Sequence, residues 1–476
     1  MKRKVTKKIV LVRPAFSNVY EVYGKLPKDH ELRPPLGLLY LASSLELYGH
    51  DVIIIDAEAL CLSPDNLYAK IIEYNPDFVG FTSTTPEFHH VAYVCKMIKE
   101  SFSYIKIIVG GPHVSALPNE TIKENPFIDY IVCGEGEKAI VEIVENLPAN
   151  QVIRCRDTEN LDELPKPARH LVDYENYKYA MPCKGLVKMD VIESSRGCPF
   201  LCTFCYNSNR VVRYRDAALV VDEIEESYKK EKIKCIMFFD DTLTVSKKHI
   251  IALCDEIIKR RLNKKIQFYG NTRANTTDEE ILIKMKMAGF AEISLGVESG
   301  NPVILKEIKK GATLEQYVKS YKLLYRFGFQ TRASFIVGFP YETHESVSDT
   351  IKFAKKLDVM RATCNILTPY PGSEVYRQAL EGKGIYLLCK DWREFKRWGT
   401  SVVKTDCLDK NDLEFYQKKF LIKFYTQPKV ILYHIRQILK GNLSYFYYRP
   451  LVFAVISAAK YYMGYLKAPV CTEAET

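Results

Sequence analysis

Short runs rich in valine and isoleucine alternate with amphipathic stretches of helical length, first over residues 7–147 and again over 187–377; this double alternation constrains the fold most. Strands apolar throughout must be covered on both faces, and helices returning between them make the pairing parallel. In the first block strands are predicted at 8–12, 51–55, 78–82, 105–109 and 130–133, and helices at 36–47, 65–74, 88–101, 120–124 and 139–145. The class is α/β, with a doubly wound, Rossmann-like domain over residues 1–147. In the second block strands at 189–194, 235–239, 266–271, 292–296, 331–337 and 363–367 alternate with helices at 217–231, 247–259, 278–288, 314–327 and 345–356. Such βα repeats predict a partial (β/α)6 barrel over 187–377. A chain of 476 residues exceeds one ordinary core, in keeping with two such domains and a helical region over 378–476, patterned at 413–424 and 429–439. Residues 148–186, with Pro165 and Pro167, read as an extended linker without a core of its own.

Parallel sheets bind ligands at the carboxyl ends of their strands, so those ends are where chemistry is sought. The first block ends its strands in Gly80-Phe81-Thr82-Ser83, Gly110-Gly111-Pro112-His113 and Gly134-Glu135-Gly136-Glu137. Thr82, Ser83, Gly110, Gly111, Gly134, Glu135 and Gly136 are therefore candidate cofactor-binding residues. The second block places Cys198, Cys202 and Cys205 after its first strand, in Arg-Gly-Cys-Pro-Phe-Leu-Cys-Thr-Phe-Cys. Three thiolates at C-x3-C-x2-C spacing would leave one iron of a cubane cluster open to a small molecule. Zinc would want a fourth close ligand, which no nearby histidine supplies, and plain packing of buried thiols is the remaining alternative. Later strand ends carry Asp240 and Asp241, then Arg273, then Glu298 and Ser299. Carboxylates accept from ammonium or ribose hydroxyls and an arginine can fork a carboxylate, which suits a zwitterionic, ribose-bearing ligand. Tyr370, in Thr-Pro-Tyr-Pro-Gly-Ser, either faces a substrate or is a buried aromatic with a satisfied hydroxyl.

The cysteine triplet resembles the signature of the radical S-adenosylmethionine (radical SAM) enzymes. In that family the three cysteines hold a [4Fe–4S] cluster whose open iron chelates SAM, and reduction of the cluster cleaves SAM to a 5′-deoxyadenosyl radical. Phe204 matches the aromatic near the adenine, and the Asp-Asp, Asn-x-Arg-Ala and Gly-x-Glu-Ser-Gly stretches match the family's SAM-binding segments. The loops Pro34–Gly37, Gly110–His113 and Gly134–Glu137 resemble those of the cobalamin-binding domain that precedes many radical SAM barrels. The D-x-H-x-x-G motif that ligates cobalt elsewhere is absent; His113 is the other candidate, although a histidine after Gly-Gly-Pro is more often structural. The resemblance implies three cofactors, a [4Fe–4S] cluster, SAM and cobalamin, and C-methylation of an unactivated carbon. Its alternative is an oxidative cyclase or ring-rearrangement enzyme, as in anaerobic closure of the isocyclic ring of bacteriochlorophyll. Outside enzymes, the triplet alone would suit an iron–sulfur binding or redox-sensing protein.

Net charge is +10, but lysine and arginine are interleaved with glutamate, so nucleic acid is not an expected partner. The expected substrate is a small or lipid-like molecule, and a flavodoxin or ferredoxin is the expected reductant. Residues 443–466 are rich in tyrosine and apolar side chains; the uninterrupted run 451–459 falls short of the ~20 residues of a membrane span and suits at most peripheral contact. No signal-peptide pattern opens the chain, so its fourteen cysteines are expected in a reducing, cytoplasmic compartment.

Overall fold

In the computed structural model, which describes residues 5–19, 32–155, 157–181, 185–206, 209–440 and Val452, the first block forms an all-parallel six-stranded sheet. Its strands are β1 (Lys8–Arg13), β2 (Asp51–Asp56), β3 (Phe78–Thr82), β4 (Lys106–Gly110), β5 (Tyr130–Cys133) and β6 (Val152–Arg154), ordered β2-β1-β3-β4-β5-β6. Successive side chains leave a strand on opposite faces, and both faces are buried. Val10, Val12, Val79 and Val109 join one core, whereas Ile9, Leu11, Ile108 and Val132 join another. The strand order reverses between β1 and β3, which opens a crevice at the carboxyl edge.

The connector differs from expectation. It supplies β6 to the first sheet and β7 (Lys178–Met181) to the second, and it buries Leu161, Tyr174, Tyr177 and Tyr179. Three residues of β6 are too few to show a period, and Pro165 and Pro167 interrupt any pattern between β6 and β7.

The second sheet runs β15-β14-β13-β12-β11-β8-β7. Six parallel strands, β8 (Gly185–Ile192), β11 (Cys235–Phe238), β12 (Gln267–Thr272), β13 (Phe290–Glu298), β14 (Gln330–Val337) and β15 (Arg361–Ile366), form the partial barrel. β7 closes one edge antiparallel to β8. Phe238, Phe268 and Phe290 pack together in its core, with ring centroids 5.5–6.1 Å apart. Between β8 and β11, β9 (Ser195–Arg196) pairs antiparallel with β10 (Arg213–Tyr214). That pairing closes the neck of the cysteine loop.

Beyond the barrel, a short antiparallel ribbon of Ile385–Leu387 and Val403–Thr405 precedes the helices Lys410–Tyr425 and Pro428–Leu439. The first helix seals the last strand: Tyr425 Oη donates to Ala362 O at 2.8 Å and Gln417 Nε2 to Cys364 O at 3.0 Å. Apart from Val452, the stretch 443–466 lies outside the described residues. No helix among the described residues is long and apolar enough to cross a membrane.

Candidate active site

A cavity of about 600 Å³ opens at the carboxyl edge of the first sheet. Its walls are mostly apolar, with Leu11, Leu36, Leu38, Leu41, Ile108, Val132 and Ile140, and its polar groups include Arg13, Arg33, Thr82, Glu135 and Glu137. Thr82, Gly110, Gly111, Gly134, Glu135 and Gly136 all line it; Ser83 does not. Ser83 is buried, its Oγ donates to Thr84 O, and its backbone lies directly beneath Gly111. A Cβ at Gly37 would meet nothing within 4 Å and one at Gly110 only Val132 O at 3.9 Å, so these glycines leave room for a large flat ligand such as a corrin. His113 is 2% exposed, hydrogen-bonds Thr85 through Nδ1 at 3.2 Å and packs between Phe88 and Trp392. Burial pushes its pKa down to about 4, and its place is in the packing under the loop.

The cysteine loop adjoins this cavity. Gly197 has φ +102° and no room for a Cβ against Val211 O, so glycine is required just before Cys198. Cys198 N donates to Asn209 O at 3.1 Å, and Cys205 N to Cys202 O at 3.2 Å. The hydrogen bond from Cys205 pulls the Cys202 thiol below its usual range; burial opposes this, and Lys310 and Arg273 add to it. Among the described residues no three His, Cys, Asp or Glu side chains gather to hold a single metal ion. A cubane takes its thiolates at separate corners, so three thiols held apart in one loop fit such a cluster.

The strand ends of the barrel divide the expected SAM-binding residues. Arg273 lies 3.3 Å from Cys202 Sγ through Nη1, stacks on Phe200 at 3.8 Å, and donates to Lys310 O. Glu298, at φ +69°, is paired with Lys310 Nζ at 2.9 Å, and Lys310 also lies 5.6 Å from the centre of the Phe204 ring. Phe204 packs on Phe339. Asp241 is exposed to a second cavity of about 350 Å³ that Gly111, Gly197, Tyr206 and Arg213 also line. Asp240 and Ser299 turn elsewhere. Asp240 is 1% exposed and accepts from Ser194 N, Ser194 Oγ and Ser195 Oγ. Ser299 Oγ bonds Thr350 Oγ1 and accepts from Asn301 N. Tyr370 Oη donates to Phe395 O, the satisfied-aromatic alternative.

Sequence reasoning did not find Lys310, Glu193, Arg196 or Arg213. Lys310 sits in a basic run with nothing to single it out, and Arg213 meets its partner 78 positions away, a distance no local pattern spans. Arg196, beside Gly197 and Cys198, was the one with a local signal.

A family model for the B12 binding domain matches residues 30–144, and one for the radical SAM superfamily matches residues 192–354. An uncharacterised methyltransferase of Pyrococcus horikoshii is 34% identical over 473 residues, 93% of this chain and 99% of its own length. The anaerobic magnesium-protoporphyrin IX monomethyl ester cyclase of Rubrivivax gelatinosus is 30% identical over 428 residues, 83% of this chain and 75% of its own. The structure of the radical SAM methyltransferase TsrM from Kitasatospora setae, with cobalamin and a [4Fe–4S] cluster bound, superposes with a TM-score of 0.63 at 19% identity. It covers 83% of this chain and 85% of that one, a likeness of fold.

Proposed function

The chain belongs to the radical SAM enzymes that carry a B12-binding domain, and from that membership we propose a cobalamin-dependent C-methylase acting on an unactivated carbon of a small-molecule substrate. The observation that carries this reading is a shared wall: Glu193 and Arg196, beside the cysteine loop, also line the glycine-walled cavity. When bound, the cluster supplies the electron that cleaves SAM and cobalamin supplies a carrier for the methyl group. Cys198, Cys202 and Cys205 would hold the cluster, and Arg273, Glu298, Asp241 and Phe204 would hold SAM. Thr82, Gly110, Gly111, Gly134 and Gly136 would form the floor and rim for the corrin. Arg273 and Lys310 put positive charge behind Cys202 and offset the thiolates, while Phe204 and Phe339 keep water from the space beside them.

The test is anaerobic reconstitution with iron, sulfide and hydroxocobalamin, followed by SAM and dithionite. 5′-Deoxyadenosine together with S-adenosylhomocysteine, both lost in the Cys198/Cys202/Cys205 triple-alanine variant, is the expected outcome. 5′-Deoxyadenosine alone would move the assignment to an oxidative cyclase, the second reading, which the similarity to the Rubrivivax cyclase favours. Neither product from an intact cluster would sink both.

We infer a flavodoxin- or ferredoxin-like reductant, approaching where Cys205 and Leu201 are exposed. A lipid-like substrate with peripheral membrane contact finds support in the helix Pro428–Leu439, which turns Ile431, Leu432, Ile435, Ile438 and Leu439 to solvent. Cosedimentation with anionic vesicles checks this contact. Cytoplasmic residence is inferred from the described cysteines, none of which is joined in a disulfide.

A further inference from the structure

The neck of the cysteine loop is tied to the first domain by buried charge. Arg196 and Arg213 face each other across β9 and β10, and both guanidinium groups reach into the Gly-Glu-Gly-Glu loop after β5. Arg213 forks Glu135, with Nη1 and Nη2 at 3.1 and 2.6 Å from its two oxygens. Arg196 Nη1 is 2.8 Å from Glu137 and 3.6 Å from Glu135, and its Nε donates to Glu193 at 2.9 Å. The side chains of Glu135, Glu137, Arg196 and Arg213 are 16, 7, 15 and 11% exposed, so water screens the cluster poorly. Burial works to raise the Glu135 carboxyl, but the Arg213 fork, the Thr158 N–H and Arg196 outweigh it and hold it below its usual range. Glu135 was expected to bind cofactor; instead both its oxygens are spent on this junction.

The junction is also a ligand-facing surface. Glu135, Glu137 and Arg196 line the 600 Å³ cavity, and Glu135, Arg196 and Arg213 line the 350 Å³ cavity beside Gly197 and Asp241. We propose that Glu135 is a positioning residue: through Arg213 and Arg196 it couples occupancy of the glycine-walled cavity to order in the cysteine loop, so that corrin and cluster bind cooperatively. A ligand that fixes the Gly134–Glu137 loop fixes the partners of the neck, and a cluster that fixes the neck fixes the wall of the cavity. Coupling between two sites is reciprocal and typically about 5–150-fold in affinity. The proposal rests on the assignment of cobalamin and cluster made above.

Two dissociation constants of the full-length chain for hydroxocobalamin decide it, one with the cluster reconstituted and one after iron chelation. Wild-type protein is expected to bind the corrin at least ~5-fold more tightly with the cluster in place. In Glu135→Gln, which removes the charge and half the fork, the two constants should converge while binding itself persists. Arg213→Lys keeps the charge but loses the fork, is the gentler variant should Glu135→Gln fail to fold, and should lower the ratio as well. Equal constants in wild type, or an undiminished ratio in a folded variant, would overturn the coupling and leave the cofactor assignment standing. Wild-type protein that binds hydroxocobalamin in neither state would overturn both.

Discussion

Arg273 Nη1 stands 3.3 Å from Cys202 Sγ, so a guanidinium donates directly to one of the three thiolates expected to hold the cluster. Its other face rests on Phe200, and Lys310, its neighbour through a backbone hydrogen bond, is a second cation on the same side. Hydrogen bonds and charge near ligating sulfur set both retention and potential of such a cluster. Arg273→Met is expected to release iron to a chelator ~10–100-fold more readily, and to make the cluster harder to reduce in a potentiometric EPR titration. An unchanged midpoint potential would show that the guanidinium serves packing alone.

Asp240 and Asp241 are adjacent in sequence and opposite in setting, one buried and the other open to a cavity. Asp240→Asn disturbs acceptors for Ser194 and Ser195 at the root of the cysteine loop and is expected to cost about 1–3 kcal/mol in a chemical melt, with little change in SAM affinity. Asp241→Asn should leave stability within ~0.5 kcal/mol and weaken SAM binding, read by equilibrium dialysis. The reverse pattern would exchange the two roles.

Gly111 has φ +103°, and an added Cβ would lie 2.6 Å from Ser83 O and 2.8 Å from Ser83 N. Gly111→Ala is therefore expected to destabilise by at least ~1–3 kcal/mol. Gly37→Ala, with nothing within 4 Å, should melt no lower than wild type, yet bind hydroxocobalamin less well because its methyl enters the cavity. Thermal melts and a corrin titration separate the two effects.

Glu342 is fully buried; its Oε2 accepts from Gly338 N and Phe339 N, and burial pushes its carboxyl up to about 8 despite those two bonds. The folded state therefore holds this proton more tightly than the unfolded chain does. Its contribution to stability is complete below the ordinary glutamate range and is lost as pH rises through about 8. Glu342→Gln should flatten the decline between pH 5 and pH 9 in parallel denaturant melts, and an unchanged slope would assign the decline to other groups.

His113 is packed between Phe88 and Trp392 and held by Thr85, so it is not a cobalt ligand in this reading. His113→Gln is expected to leave the visible spectrum of bound hydroxocobalamin unchanged while lowering thermal stability. A shift in that spectrum would return the histidine to the metal.

The repeating blocks were legible because apolar runs of strand length alternate with stretches of helical length; the helix 36–47 and the strand 78–82 fall where the sequence places them. β6 and β7 were not, since three or four residues carry no period and owe their pairing to a neighbouring strand. The same limit applies to the site. Cys198, Cys202, Cys205 and the glycine loops are local patterns, whereas the Glu135–Arg213 fork and the Lys310–Glu298 pair exist only after folding. Asp240 and Ser299 were legible as polar groups at strand ends, but which way each turns is decided by Ser194 and Thr350.

Three tyrosines of the connector give it a role that a linker would not have. Tyr177 Oη donates to Asp56 at the end of β2, while Tyr174 and Tyr179 donate to Asp190 on β8 and Glu292 on β13. One short stretch is therefore bonded to both sheets. A recombinant exchange of the corrin-side half between relatives, cut at the apparent domain boundary near residue 147, would strip β6 from its sheet and take the Tyr177 hydroxyl from Asp56, leaving that carboxylate to Arg13. A chimera has to carry the whole of residues 148–181 with the half it moves, and must match the two acidic partners on the half it meets.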